Sequence, residues 1–348
     1  MRLSPGSAVF LVVLLALGGL AVWGVLALLE GPEPGVLGEE VTVEVPSGAS
    51  ASDVGDILED EGVIDSAWRF GLTARFDARA NRIRAGEHVF REGMTDDQAL
   101  EVLAEGPLPP PTFSFTVPEG LTVDQTLERI ADDSPFSPDD LEEALLAVAL
   151  PEWVPTDLPD GAQPFEGLLA PATYEFLEET SAAQVLGELV ATTDERVAEL
   201  ESDAEWDTYE LLTVASLIER EVRLAEERDL VAGVVANRLE AEQRLQIDAT
   251  VQYAQGEHQD RLLFEDLEID SEWNTYESDG LPPTPIAAPG EAALAAAAEP
   301  ADTDYRFYVV CDTDTGEHVF AETNDEHQAN VARYREIQED GGRFCDDV

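Results

Sequence analysis

The sequence predicts an α+β protein with helices dominant: an N-terminal transmembrane helix, a small βα module, and a larger, mainly helical domain with a small β-sheet. Three observations carry this. A charge-free apolar run near the N-terminus is long enough to span a bilayer. A unit of strand, turn and helix start recurs in the first third of the chain. A long helix-favouring stretch is followed, near the C-terminus, by a short hairpin.

From Ala8 to Leu29 the chain carries 22 residues without a charge, enough for a helix to cross a hydrocarbon layer of about 30 Å. A cleaved signal peptide is the competing reading, but its apolar region usually runs only about 7–15 residues and ends at small residues, whereas this run ends in Leu-Leu-Glu-Gly-Pro. An uncleaved anchor is therefore expected. Arg2 precedes the run and Glu30, Glu33, Glu39 and Glu40 follow it, so the positive-inside bias puts the N-terminus in the cytoplasm and residues 31–348 outside it.

A length of 348 residues suggests about two folded units beyond the anchor, and 44% hydrophobic with 27% charged residues is ordinary for globular domains. The charge balance is not ordinary. There are 75 acidic residues against 19 basic ones, a net charge of −56, and every basic side chain is arginine. Such a field repels phosphates, and no Arg cluster is apparent to offset it, so a nucleic-acid partner is set aside. Solubility at high salt accounts for the acidity without any catalytic use, since salt screens the self-repulsion over a few ångströms.

After a spacer at 31–40, Val41–Val45 alternates as a half-buried strand does, and runs into Pro46-Ser-Gly48. Phe113–Val117 precedes Pro118-Glu-Gly120 in the same way, and His88-Val-Phe90 precedes Gly93. In all three units Ser50, Thr95 or Thr122 follows the glycine by two positions, and Leu58, Leu103 or Ile130 follows it by ten. Glycine permits the turn and the hydroxyl is placed to cap a helix. The first two units form a module over about 41–106. The Pro-rich hinge 107–111 separates it from a domain over 112–338, and an acidic tail follows at 339–348.

Within that domain, helices are expected over 123–204 around a Pro-rich stretch at 151–171. More helix is expected from Asp207 to about Arg244 with a break near Leu224, then a loop-rich segment to Pro289. An Ala-rich helix at 290–298, a strand Tyr305–Val310 paired with His318–Phe320, and a last helix from about Glu326 to Gln338 complete the chain. Cys311 and Cys345 lie in the exported part, where a disulfide can persist. Free thiols remain the alternative. A metal site is disfavoured by the spacing of 34 and the scarcity of histidine.

The helix Leu211–Val222 is apolar on most of its surface. At about 100° per residue, Glu219 lies beside Leu212, Ala215, Ser216 and Val222 at the edge of the apolar stripe. Partial desolvation raises a carboxyl pKa and leaves it able to donate a proton near neutral pH. Glu221 projects roughly opposite. Pairing of either with Arg220, Arg223 or Arg238 is the competing reading.

Ala215–Glu221, Ala236-Asn-Arg-Leu239, Leu245–Tyr253, Trp273-Asn-Thr-Tyr276 and Gly280–Ile286 occur in that order, preceded by Thr116–Leu121 and Glu166–Tyr174 and followed by Pro289-Gly290. Together they resemble the MltG-type, or YceG-like, endolytic murein transglycosylases over roughly residues 41–336. The resemblance implies a LysM-like module followed by the catalytic domain, with Glu219 as the catalytic residue. It implies cleavage of the MurNAc–GlcNAc bond inside a peptidoglycan strand to leave a 1,6-anhydro end, terminating strand elongation, without metal or cofactor. One carboxyl suffices. A hydrolase needs two, about 5 Å or about 6.5–9.5 Å apart, whereas here the sugar's own C6 hydroxyl is the nucleophile and Glu219 serves as acid and then base. Gln246, Asp248, Asn274, Tyr276 and Glu166 sit in matching motifs and are the candidate substrate-binding residues. For Gln246 and Asn274 the alternative is an amide stitching loops together; for Glu166, a carboxylate bonded to backbone; for Tyr253, Trp273 and Tyr276, core packing. The resemblance also implies the cytoplasmic membrane and cell-wall synthases such as penicillin-binding proteins as partners. A non-catalytic peptidoglycan-binding scaffold is the other function class. The chain departs from the family pattern at Ala172, Ala249 and Val222, which puts in doubt any role for an acid at position 172.

Overall fold

The computed structural model describes residues 37–345 apart from 203, 257, 258, 260, 261, 339 and 340. The apolar run at 8–29 lies outside the described residues. Among those described, no helix is long and apolar enough to cross a membrane. The chain divides into two compact units that meet between Pro110 and Pro111.

In the first unit β1 (Glu40–Val45) pairs antiparallel with β2 (Gly86–Arg91), with Val43 opposite His88. Between them lie α1 (Ala51–Asp60), α2 (Ala67–Phe76) and a 3-10 turn at Ala78–Arg82, and α3 (Asp96–Glu105) follows β2. Ser50 and Thr95 cap α1 and α3, each closing a capping box with the residue three positions on, Asp53 and Gln98. Leu58 and Leu103, ten residues beyond the turn glycines, are fully buried in a core with Val43, Val54, Phe70, Phe90 and Leu100.

The second unit opens with β3 (Thr112–Thr116), which pairs antiparallel with β4 (Thr173–Leu177). Thr122 caps α4 (Val123–Asp133) through a box with Gln125, and Ile130 is fully buried. Next come α5 (Pro138–Leu145), α6 (Ala182–Glu199), α7 (Thr208–Glu221), α8 (Arg228–Glu240), α9 (Asp248–Gln255) and α10 (Glu291–Ala298). The hairpin of β5 (Phe307–Val310) and β6 (His318–Ala321) and the helix α11 (Asn324–Ile337) end the unit. Buried side chains from Tyr209 to Ile218 make α7 the central helix. The alanines of α10, buried at 293, 297 and 298, let it pack closely on α7.

The chain is α+β with helices dominant, as the sequence predicts, but details differ. Among the described residues the strands form three separate two-stranded sheets. The segment expected to be loops up to Pro289 contains α9, too short and polar for its period to stand out. The last helix starts at Asn324 because Thr323 caps it, with Glu326 completing the box.

Cys311 and Cys345 are disulfide-bonded. Beside them Phe344 donates its N–H to the Cys311 carbonyl at 2.8 Å and Thr313 donates to Gly342 at 3.2 Å, so the tail runs along the hairpin. Closing a loop of this length stabilises a fold by about 3–4 kcal/mol on the chain-entropy account. Replacing both cysteines by serine is expected to lower the unfolding free energy by that order, read from denaturant melts of the two proteins.

Candidate functional site

The site is built on the last turn of α7. Asp207 caps the helix and Glu210 completes the box, and nearly every residue up to Ile218 is buried, so the helix is held rigidly where Glu219 emerges. Glu219 is half-buried. Its Oε2 accepts the Gly290 N–H at 3.1 Å. Burial raises its carboxyl above the usual range, the Gly290 N–H opposes that, nearby Glu119 adds to it, and Arg228 and Arg220 oppose it from further away. Among the described residues no arginine reaches ion-pair distance of this carboxylate. The pairing expected as an alternative is not made: the Arg220 guanidinium donates to the Gly120 carbonyl at 2.9 Å instead.

Two loops distant in sequence converge on Glu219. The Gly120 N–H donates to the Ala288 carbonyl and the Ala288 N–H to the Leu121 carbonyl, both at 2.8 Å. This two-way pair fixes the Pro118–Leu121 turn against the loop leading to Gly290. Gly120 has φ of +78°, and a Cβ built there would lie 3.7 Å from the Glu219 side chain. The backbone conformation therefore favours glycine beside the carboxyl, although a Cβ there would make only ordinary contact.

Ser216, one turn earlier on α7, is fully buried. Its hydroxyl accepts the Ile286 N–H at 3.0 Å and donates to the Thr213 carbonyl at 2.7 Å. That hydroxyl is what fastens the 284–290 loop to the helix. Replacing Ser216 by alanine leaves the Ile286 N–H buried without a partner. It is expected to cost about 1–3 kcal/mol of stability, measurable by thermal melting, and to loosen Gly290.

A cavity of about 780 Å³ opens next to Arg220 and is lined by Thr122, Gln125, Glu166, Gln252, Tyr253, Trp273 and Ile286 among others. Glu166 is 3% exposed. Its carboxyl accepts the Val123 N–H and the Tyr253 hydroxyl, each at 3.1 Å, and burial pushes its pKa up to about 8. The indole N–H of Trp273 donates to Thr284 at 2.8 Å. The cleft thus combines aromatic faces with hydroxyl, amide and carboxyl groups, the mixture suited to a polyhydroxylated chain.

The other candidates lie elsewhere. Tyr276 donates to Asp248 at 2.6 Å, and Asp248 is exposed. Gln246 takes φ of +50°, its N–H bonded to the Thr275 carbonyl at 3.0 Å and its side chain exposed. Asn274 is a correction. It is fully buried, its Nδ2 donates to the Leu267 and Ile269 carbonyls at 2.9 Å, and its Oδ1 accepts the Tyr276 N–H at 3.0 Å. The amide is spent on its own loop and offers nothing to a groove. Glu221 turns inward, accepting the Tyr308 hydroxyl at 3.0 Å, and burial raises its carboxyl. Arg238 donates to the Arg306 carbonyl at 2.6 Å and the Leu245 carbonyl at 2.5 Å, while Asn237 holds the Thr303 and Tyr305 carbonyls. This motif therefore clamps the approach to β5. Sequence reasoning missed Gln252 and the backbone contributions of Gly120 and Gly290. Among the described residues the one His/Cys/acidic group close enough for a metal ion is Cys311, Glu317 and Cys345, whose sulfurs are already bonded to each other.

These features define an α+β protein whose central helix presents a half-buried carboxyl with no arginine at ion-pair distance among the described residues, followed by Arg220, which lines a polar and aromatic cleft. Comparison with known proteins places it more closely. The profile of the YceG-like family matches residues 43–333. A Bacillus subtilis protein named endolytic murein transglycosylase is 34% identical over 308 residues, covering 84% of each chain. A Streptococcus pneumoniae D39 protein of the same name is 30% identical over 322 residues, covering 84% of this chain and 58% of the longer relative. The crystal structure of a yceG-like protein from Listeria monocytogenes superimposes with a TM-score of 0.54 at 33% identity, covering 84% of this chain and 98% of that one. The chain belongs to the YceG-like family.

Proposed function

We propose that the protein is an endolytic lytic transglycosylase of peptidoglycan, with Glu219 as its acid and base. The observation that carries this is the Glu219 carboxyl, half-buried and held on one oxygen by the Gly290 N–H, on the residue before Arg220, which lines a cleft of polar and aromatic side chains. The names of the relatives in Bacillus subtilis and Streptococcus pneumoniae support the same activity.

With Oε2 engaged by an N–H donor, Oε1 is the oxygen that carries the transferable proton. Protonated Glu219 gives that proton to the oxygen linking MurNAc C1 to GlcNAc, and the bond breaks as positive charge develops at C1. The C6 hydroxyl of the same MurNAc closes on C1 while the Glu219 carboxylate takes its proton. The products are a GlcNAc terminus and a 1,6-anhydroMurNAc end. Glu219 returns protonated and no water is consumed. Glu166, Tyr253, Trp273 and Gln252 line the glycan groove, whereas the exposed Asp248 and Gln246 and the half-buried Tyr276 lie outside that lining.

The wider reading keeps residues 8–29 as a single-pass anchor with a cytoplasmic N-terminus and the folded units outside the cytoplasmic membrane. It takes the first unit as LysM-like, supported by its order of strand, two helices and antiparallel strand, and cell-wall synthases such as penicillin-binding proteins as partners. The test is mass spectrometry of murein treated with the purified protein. Anhydro-MurNAc ends are expected. Binding to sacculi with no new ends would leave a scaffold in place of an enzyme.

A further inference from the structure

The exposed side of α2 has no role in the account above. Phe70 and Ala74 on one side of this helix are buried at 0% and 3% and tie it to the core of its unit. On the other side Trp68, Leu72 and Phe76 recur every four residues, so they form one stripe. Trp68 is 69% exposed and Phe76 is 82% exposed, the opposite of what large aromatics do in a core. Arg75 falls on the same side, about 20° round the helix from Trp68 at 100° per residue. The 3-10 turn that follows adds Arg79 and Arg82.

Residues 67–84 hold five arginines against one aspartate, inside a chain whose net charge is −56. This local cluster corrects the expectation, drawn from the whole-chain charge, that none exists. Arg69 is paired with Asp96, and Arg79 with Asp77 and Asp97. Arg75 and Arg82 are exposed.

We propose that the Trp68, Leu72 and Phe76 stripe with Arg75 and Arg82 docks on the anionic lipid surface of the membrane that residues 8–29 enter. The inference rests on reading those residues as an anchor. Three arguments select a bilayer. An apolar stripe with aromatic residues flanked by arginines is the pattern of helices that lie in the headgroup region. The charge is complementary to anionic lipid and opposite to that of the rest of the chain. The chain from Leu29 to β1 spans at most about 35 Å fully extended, and a unit of about 70 residues has a radius of gyration near 11 Å, roughly, so the tether keeps every face of this unit within reach of the surface. A glycan strand fits less well. The stripe is a convex helix face beside the exposed cations Arg75 and Arg82, without the concave set of converging donors and acceptors that orients a sugar. Docking would hold the first unit flat on the membrane, where new strands emerge.

The test uses the full chain reconstituted in vesicles of phosphatidylglycerol and phosphatidylcholine in equal parts. An environment-sensitive fluorophore is attached at Phe76→Cys or, as control, at exposed Asp56→Cys on α1, the native cysteines being bonded to each other. Nitroxide-labelled lipid is expected to quench the fluorophore at 76 and not at 56. An arginine at an anionic surface strengthens association about five-fold, so Arg75→Glu with Arg82→Glu should lower the docked-to-undocked ratio by about 25-fold or more. Equal quenching at the two positions overturns the proposal. A spectral change at 76 that appears only on adding murein strands also overturns it, making the face a glycan platform. The anchor is read separately: flotation that survives high salt without quenching at 76 leaves the anchor and removes the docking, whereas salt-sensitive flotation with quenching leaves the docking and removes the anchor. No flotation at all removes both.

Discussion

Replacing Glu219 by glutamine is expected to lower the rate of anhydro-end formation by about a thousandfold or more. A positioned acid or base contributes about 10²–10⁴-fold, and here one group performs both transfers. The amide keeps the size of the side chain and an oxygen for the Gly290 N–H, so folding should survive, which a melting curve checks. The pH dependence has a definite sign. The first transfer needs the protonated form, and burial raises the Glu219 pKa, so wild-type activity extends to higher pH than an ordinary carboxyl would permit and falls as pH rises through the raised value. A variant that keeps wild-type turnover, or a profile falling in the ordinary carboxylate range, would mean that another group carries the proton.

The second large effect concerns stability. Glu166 has a pKa of about 8 in the folded protein against 4.5 for the unreacted reference. Between these values the folded state holds a proton that the unfolded state has released. Stability contributed by the neutral carboxyl is therefore fully present below the unfolded value and declines as pH rises, by about 1.4 kcal/mol per unit, until the folded value is reached. From pH 5 to pH 8 the loss should be on the order of 3 kcal/mol. Glu166→Gln carries no titrating proton and should show a flatter profile, its amide oxygen still accepting the Val123 N–H while its amide N–H donates to the Tyr253 hydroxyl oxygen. Parallel profiles would mean that those two hydrogen bonds outweigh burial and keep Glu166 charged.

What the sequence disclosed was local. The caps at Ser50, Thr95 and Thr122 each lie three residues from their partners, and the buried Leu58, Leu103 and Ile130 follow from helical spacing. The desolvation of Glu219 was legible for the same reason, since it depends on which side of α7 is apolar. What escaped depends on chain segments far apart. Gly290 meets Glu219 across 71 positions, and Arg220 reaches Gly120 across 100. The pairing of β3 with β4 joins Ser114 to Glu175, and nothing in either strand's alternation names the other. Asn274 serves its own loop, the alternative that its sequence motif left open. Motif membership was more informative for Glu166, whose carboxyl both caps α4 and lines the cleft.

One carboxyl, using the substrate's own hydroxyl and no water, is proposed to break the glycan. This is tested most directly by digesting murein in heavy-oxygen water with the wild type beside Glu219→Gln and weighing the new ends. Anhydro-MurNAc ends free of solvent oxygen are expected from the wild type and none from the variant. Reducing ends carrying solvent oxygen, or anhydro ends from both proteins, would contradict that proposal.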